Sequence, residues 1–338
     1  MSKNKVKVAV TMITYNHERF INDAIKGVLL QKTNFDYKLF ITDDNSPDRT
    51  AEICKEYALK HPDKIEFESF SKNIGGARNW HYTLSKCKNS KADFVAICDG
   101  DDYWTDPHKL QMQVDFLEKN LEFNMVHTDF DIFYNKNMKL VPKRNLFYKI
   151  PISYNQTYDE LLLKNNIATL SVLFRNDFEN FLDYSILPDL SNYKLGDYPL
   201  WLIISRNKNV GYINKSTATY RVLESSASNH GQDIEKKYEF DFSEIKMKFD
   251  LIDKLGCKKE TKESIEIDFY KLNLNYGFLK KDLTLSKEYY LKLKEIGKSN
   301  FDDKLKVIGS KSAINWHIIK NYLRIKNKLK RMVNKTQG

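Results

Sequence analysis

The sequence predicts an α/β fold: a mostly parallel sheet flanked by helices, with a helical, basic C-terminal extension. Three observations carry this. Over about the first hundred residues, β-branched apolar segments alternate with segments of helical period. The strand segments run into polar stretches, TYN after the first, DDNS after the second and DGDD after the fourth. Beyond about residue 235 the pattern is helical and Lys-rich to the end.

Residues 5–13 (KVKVAVTMI) alternate and are β-branched, which predicts a strand. Residues 17–31 carry Phe20, Ile21, Ala24, Ile25, Val28 and Leu29 at helical spacing. YKLFIT (37–42) is a second strand, followed by the loop DDNSPDRT, a helix over 49–60 and a strand over 65–70. SKNIGGARN is a Gly-containing turn into a helix ending near Cys87, and DFVAIC (93–98) is the fourth strand. Further on, 123–134 and 167–174 predict strands and 198–206 a helix. Residues 210–222 predict two short strands or a hairpin. In open α/β sheets ligands bind at the carboxyl ends of the strands, where the three polar stretches lie.

With 338 residues, 41% apolar and 13% aromatic, the chain can bury a sizeable core in one large domain or two. The best boundary is SSASNHGQ, dividing it into 1–230 and 231–338. No stretch is long and apolar enough to span a bilayer, and MSKNKVKVAV lacks the apolar core of a signal peptide. Four scattered cysteines without a CxxC pair predict a reduced, cytoplasmic setting. The seven histidines lack zinc-site spacing. The net charge of +10 is local: Lys304 to Gly338 hold ten Lys/Arg and no Asp/Glu, leaving the rest neutral. That distribution argues against a nucleic-acid binder.

ICDGDDYW (97–104) places Asp99, Asp101 and Asp102 within four positions after an apolar run. Carboxylates this close repel unless a cation neutralises them. Mn²⁺ or Mg²⁺ suits: a hard ion bound by one or two carboxylates, its shell completed by substrate phosphates. A plainer alternative is a solvated acidic turn before a helix capped by Asp106-Pro107.

TYNHERFI, ITDDNSPDRT, NIGGARN and ICDGDDYWTDPHKLQMQVDFLEKN, in this order and spacing, resemble family 2 glycosyltransferases of the GT-A fold. The resemblance covers roughly residues 6–225 and is nearest to bacterial members that build surface polysaccharides. It implies a catalytic domain over 1–230 that transfers a sugar, with inversion, from a nucleotide-diphosphate donor. By this resemblance Thr14, Tyr15 and Asn16 line the nucleotide-sugar pocket, Asp43 meets the base with Asp44 beside it, and Arg78 lies near the nucleoside. Asp99 and Asp101 form the DxD motif, Asp99 toward the ribose and Asp101 toward the metal, with Asp102 supporting the loop. Structural readings stand beside these. Tyr15 packs on the sheet edge, Asp43 or Asp44 caps the next helix, and Arg78 pairs with a surface acid.

An inverting transfer needs a base for the acceptor hydroxyl. Asp197 of GDYPLW is the candidate, and Asp189 a weaker rival. The family often has an ED pair here, and Gly196 departs from it. Asp197 also reads as the N-cap of the helix at 198–206. In TYRVLESSASNH, Arg221 or His230 is placed to reach the diphosphate from a loop. The absence of QxxRW disfavours a processive polymerase.

In 313–333 (AINWHIIKNYLRIKNKLKRMV), Ile314, Ile318, Tyr322, Ile325, Leu329 and Met332 share a helical face. Lys320, Arg324, Lys328 and Arg331 lie mostly elsewhere. Such a helix suits an anionic membrane surface, or docks on the protein's own core. The resemblance implies a glycan or lipid-linked acceptor and, alone, suggests a UDP-sugar. Two other functions stand behind it. A nucleotidyltransferase wants a Gly-rich basic phosphate loop, which TMITYNHERFI does not offer. A non-catalytic transferase relative would bind a membrane or partner through its tail.

Overall fold

The structure, a computed structural model, describes residues 5–150, 152–177, 193, 196–223 and 233–336. It divides into two compact units, Met1–Asn229 and His230–Gly338. SSASNHGQ, His230 and Asp189 lie outside the described residues.

The first unit begins with β1 (Val8–Thr14), α1 (Ile21–Leu29), β2 (Tyr37–Asp43), α2 (Thr50–Lys60), β3 (Ile65–Ser69), α3 (Gly76–Asn89) and β4 (Phe94–Ile97). These strands pair in parallel in the order β3-β2-β1-β4. Parallel neighbours need a crossover, and the three helices supply it. Then come β5 (Tyr103–Trp104), α4 (Lys109–Lys119), β6 (Phe123–Tyr134), β7 (Lys139–Val141), α5 (Arg144–Phe147), β8 (Asn155–Gln156) and α6 (Tyr158–Leu163). A 3₁₀ turn (Thr169–Ser171) leads into β9 (Val172–Arg175), α7 (Tyr198–Ile204) and β10 (Asn209–Val222). β9 enters antiparallel between β4 and β6, and β6 and β10 pair in parallel. The sheet runs β3-β2-β1-β4-β9-β6-β10-β5. Val8, Val10, Met12, Leu39, Ile41, Phe94 and Ala96 form its core with Ile25 and Val28 of α1.

Several elements differ from the sequence expectation. Residues 210–222 are one strand, with register shifts near Ser216 in place of a turn. α4 starts at Lys109, because Asp106 accepts from the His108 amide (2.9 Å) and pairs with Lys215 (2.5 Å). α1 starts at Ile21, since His17 to Phe20 close a turn (Phe20 N to His17 O, 2.8 Å). Neither Asp43 nor Asp44 caps α2: its N-cap position is Arg49, and Asp48 just before it accepts from the Thr50 amide (3.0 Å).

The second unit has α8 (Ile234–Leu255), α9 (Lys259–Lys280), α10 (Leu283–Glu295), α11 (Phe301–Gly309) and α12 (Ala313–Thr336). Asp233, Asp282 and Asn300 cap α8, α10 and α11. Tyr238 stacks on Tyr276 at 3.8 Å between ring centres, and Phe242, Phe269 and Tyr289 extend this contact. Gly277 admits Ser286, since a Cβ there would lie 2.8 Å from its hydroxyl. No described helix is long and apolar enough to cross a membrane.

Candidate active site

Register brings the polar strand ends together. Thr14 lies beside Asp43, and Thr11 beside Ile97. Past Ile97 the chain stays with β1: the Cys98 amide donates to Thr11 O (3.0 Å) and the Gly100 amide to Ile13 O (2.9 Å). The acidic loop is therefore fixed against the end of β1. A cleft of about 390 Å³ opens there, lined by Thr14, Tyr15, His17, Asp44, Asp99 and Asp101, with Asn73, Gly76 and Asn79 from the start of α3.

Asp99 Oδ1 is buried without a hydrogen-bond partner. Burial pushes its carboxyl up to about 8, and the charges of Asp101 and Asp197 add to the rise. Asp197 is thus an electrostatic neighbour of the acidic loop. It caps α7, Oδ1 accepting from the Tyr198 amide at 2.7 Å, while Oδ2 accepts from the Thr169 hydroxyl. These two donors fix the direction of the carboxylate.

Asp102 is buried, and burial followed by the charge of Asp101 holds it well above the usual carboxylate range. It accepts from the Arg221 amide (2.8 Å), joining the loop to β10. The Arg221 side chain is engaged as well. It donates to Asp101 O (3.0 Å), pairs with Asp23 of α1, and lies over the Tyr103 and Phe20 rings at 4.5 and 5.1 Å. Arg221 is therefore a strand residue bracing the loop from behind and is not among the cleft-lining residues, in contrast to the loop position expected for it.

The other expected residues divide. Thr14 and Tyr15 line the cleft, and Tyr15 is 45% exposed. Asn16 takes a left-handed conformation (φ 58°), and its amide donates to Ser46 Oγ at 2.9 Å. Asp43 is fully buried and spends its oxygens on the Ser46 amide (3.0 Å), the Ser46 hydroxyl and the Ser69 hydroxyl (2.8 Å), so it shapes the loop. The acid that faces the cleft is Asp44, which accepts from the Ile74 and Gly75 amides at 2.7 and 2.9 Å. Arg78 is exposed on the first turn of α3, outside the cleft lining and without an acidic partner among the described residues.

Sequence reasoning passed over His17 and Thr169. His17 Nδ1 lies 3.1 Å from Thr14 Oγ1, and burial lowers its imidazole against the opposing pull of Asp101. Its place directly after TYN was the available signal. Nothing local marked Thr169, 28 positions from Asp197. Among the described residues no three His, Cys, Asp or Glu side chains are grouped to hold a metal by themselves.

The glycosyl transferase family 2 profile matches residues 9–182. An uncharacterised protein of Mycobacterium tuberculosis is 33% identical over 168 residues, 50% of this chain and 46% of its own. The minor teichoic acid biosynthesis protein GgaB of Bacillus subtilis is 27% identical over 251 residues, 72% of this chain and 26% of its own. The chain spans 46% of the length of that Mycobacterium relative and 48% of the putative glycosyltransferase EpsE of Bacillus subtilis, 34% identical over 139 residues. Among solved structures, S. aureus TarS 1–349 in complex with UDP-GlcNAc superposes with a TM-score of 0.65 at 16% identity, covering 95% of this chain and 92% of that one. The mannosyltransferase PcManGT of Pyrobaculum calidifontis, in complex with GDP-Man and Mn²⁺, gives 0.56 at 14% identity, covering 94% and 82%. The profile spans more than half of the sequence and the architecture is shared along nearly all of it, so the chain belongs to glycosyl transferase family 2 and has the GT-A fold.

Proposed function

We propose that the first unit, as a catalytic domain over 1–230, transfers a sugar with inversion from a nucleotide-diphosphate donor, a UDP-sugar, to a hydroxyl of a glycan or lipid-linked acceptor. Bacterial surface polysaccharide synthesis is the setting that the relative GgaB supports. One observation carries the reading. The charge of Asp197 acts on the buried carboxyl of Asp99, which with Asp101 lines the same cleft as Thr14 and Tyr15.

Asp99 and Asp101 fit Mn²⁺ or Mg²⁺. Asp99 keeps an unpartnered buried oxygen, and two carboxylates are what such an ion uses when phosphates complete its shell. When bound, the cation supplies charge neutralisation for the departing nucleoside diphosphate. The chain's own residues do the rest. Tyr15, Thr14 and Asp44 bound the nucleotide end of the cleft. Asp197 takes the proton of the acceptor hydroxyl as its oxygen bonds the anomeric carbon and the bond to the diphosphate breaks. Thr169 and the Tyr198 amide hold the carboxylate in line, and a single displacement inverts the centre.

Thermal melts with UDP, GDP, CDP and dTDP, each with and without Mn²⁺, test the donor. UDP with Mn²⁺ is expected to stabilise the protein, by about 2.7 kcal/mol at a hundred times its dissociation constant. Asp101→Asn is expected to abolish that gain. A flat response to all four nucleotides would remove the donor-site reading, and full metal-dependent activity in Asp101→Asn would remove the metal assignment.

A further inference from the structure

Helix α12 has two apolar faces, and among the described residues only one is packed against its own unit. Trp316 donates from Nε1 to Phe278 O at 2.7 Å, and Ile319 is 7% exposed. These two residues seat the helix on its own unit. The second face is Ile314, Ile318, Tyr322, Ile325 and Leu329, exposed by 74, 63, 43, 59 and 54%. At about 100° per residue these five fall within an arc of about 80°, so they form one continuous stripe. A helix docked through its stripe would bury it; here the stripe faces solvent.

The stripe's borders are cationic. Lys326 and Lys328 flank it on opposite sides, with Arg324 and Lys320 further round. Lys326 holds Asp302 at 2.7 Å, and Lys320 lies 4.2 Å over the Trp316 ring. Arg324 and Lys328 have no ion-pair partner among the described residues. From Lys304 to Gly338 no acidic residue offsets ten basic ones.

We propose that α12 lies in the plane of an anionic phospholipid surface, the Ile314–Leu329 stripe entering the acyl boundary and the flanking cations meeting the headgroups. The helix is too charged to span, which leaves the interface plane. Charge decides the occupant. A second copy of the stripe would bring the same lysine borders together, and like charges there oppose pairing. An anionic bilayer answers both the apolar stripe and the cations. The inference stands apart from the sugar-transfer reading, because it uses no residue of the cleft.

The test is flotation of the full chain with vesicles of phosphatidylcholine alone and of phosphatidylcholine with phosphatidylglycerol in equal parts. The protein is expected to float with the anionic vesicles and to be released by salt. Ile318→Gln/Ile325→Gln/Leu329→Gln keeps helix propensity and is expected to lose binding, while Arg324→Glu/Lys328→Glu is expected to weaken it about tenfold or more. Both sets change exposed positions, so unchanged melting and nucleotide response would show that fold and cleft are intact. Equal flotation with both vesicles, or retention by the Gln variant, overturns the proposal. A dimer in solution that the Gln variant converts to monomer, with no flotation, also overturns it and assigns the stripe to self-association.

Discussion

Between Asp99 and Asp101 there is no room for a side chain. A Cβ on Gly100 would lie 2.7 Å from Thr14 Oγ1 and 3.0 Å from His17 Nδ1. Gly100→Ala must therefore lift the loop from β1. Overpacking of this kind costs about 1–3 kcal/mol, so a lower melting temperature and weaker nucleotide binding in the presence of Mn²⁺ are expected, read by melts and calorimetry. Asp197→Asn removes charge without removing bulk. It should cut turnover by about 10²- to 10⁴-fold while nucleotide stabilisation stays; normal turnover would exclude it as the base. The acidic loop was legible because its three carboxylates fall within four positions. Arg221 was not, because its partner Asp23 lies 198 positions away, and a lone Arg after a strand says nothing of what stands behind it.

At the scale of elements, the entry to α3 depends on one carboxylate. Asp44 accepts the Ile74 and Gly75 amides, and Gly75 takes φ 90°, a conformation that favours glycine. Asp44→Ala leaves two amides of a cleft-lining turn without this acceptor. A loss of about 1–3 kcal/mol in denaturant unfolding and a weaker nucleotide response are expected, with Asp44→Asn falling between. The first four strands and three helices were readable because period and turn residues are local signals. β10 was not, because Asn214-Lys215-Ser216 reads as a break, whereas the ladder with β6 shifts register there and continues. The insertion of β9 between β4 and β6 is likewise absent from any local pattern, being set by packing across the sheet.

For the whole molecule, buried titratable groups set a pH dependence. Lys109 is fully buried against Trp104 and Gln113, and burial lowers its pKa from 10.5 to about 7. Between those values the unfolded chain binds more protons than the folded one, so this group's contribution to stability rises with pH. Lys109→Met should stabilise the protein at neutral pH, and its advantage over wild type should shrink as pH rises from about 7 toward 10.5. Paired melts across that range check this; a constant difference would mean that the lysine does not titrate. His127, lowered to about 3 by burial, acts in the same sense on the acid side, losing stability as pH falls below 6.5.

The brace formed by Arg221 limits how this sequence can drift. One guanidinium serves α1 through Asp23, the acidic loop through the Asp101 carbonyl, and two aromatic rings, while its own amide serves Asp102. A lone replacement of Arg221 strands several partners at once, and a lone replacement of Asp23 leaves a largely buried cation without its carboxylate. The side chains at 20, 23, 103 and 221 meet around one guanidinium, so relatives that vary at one of them are expected to vary at the others, although they are scattered along the chain.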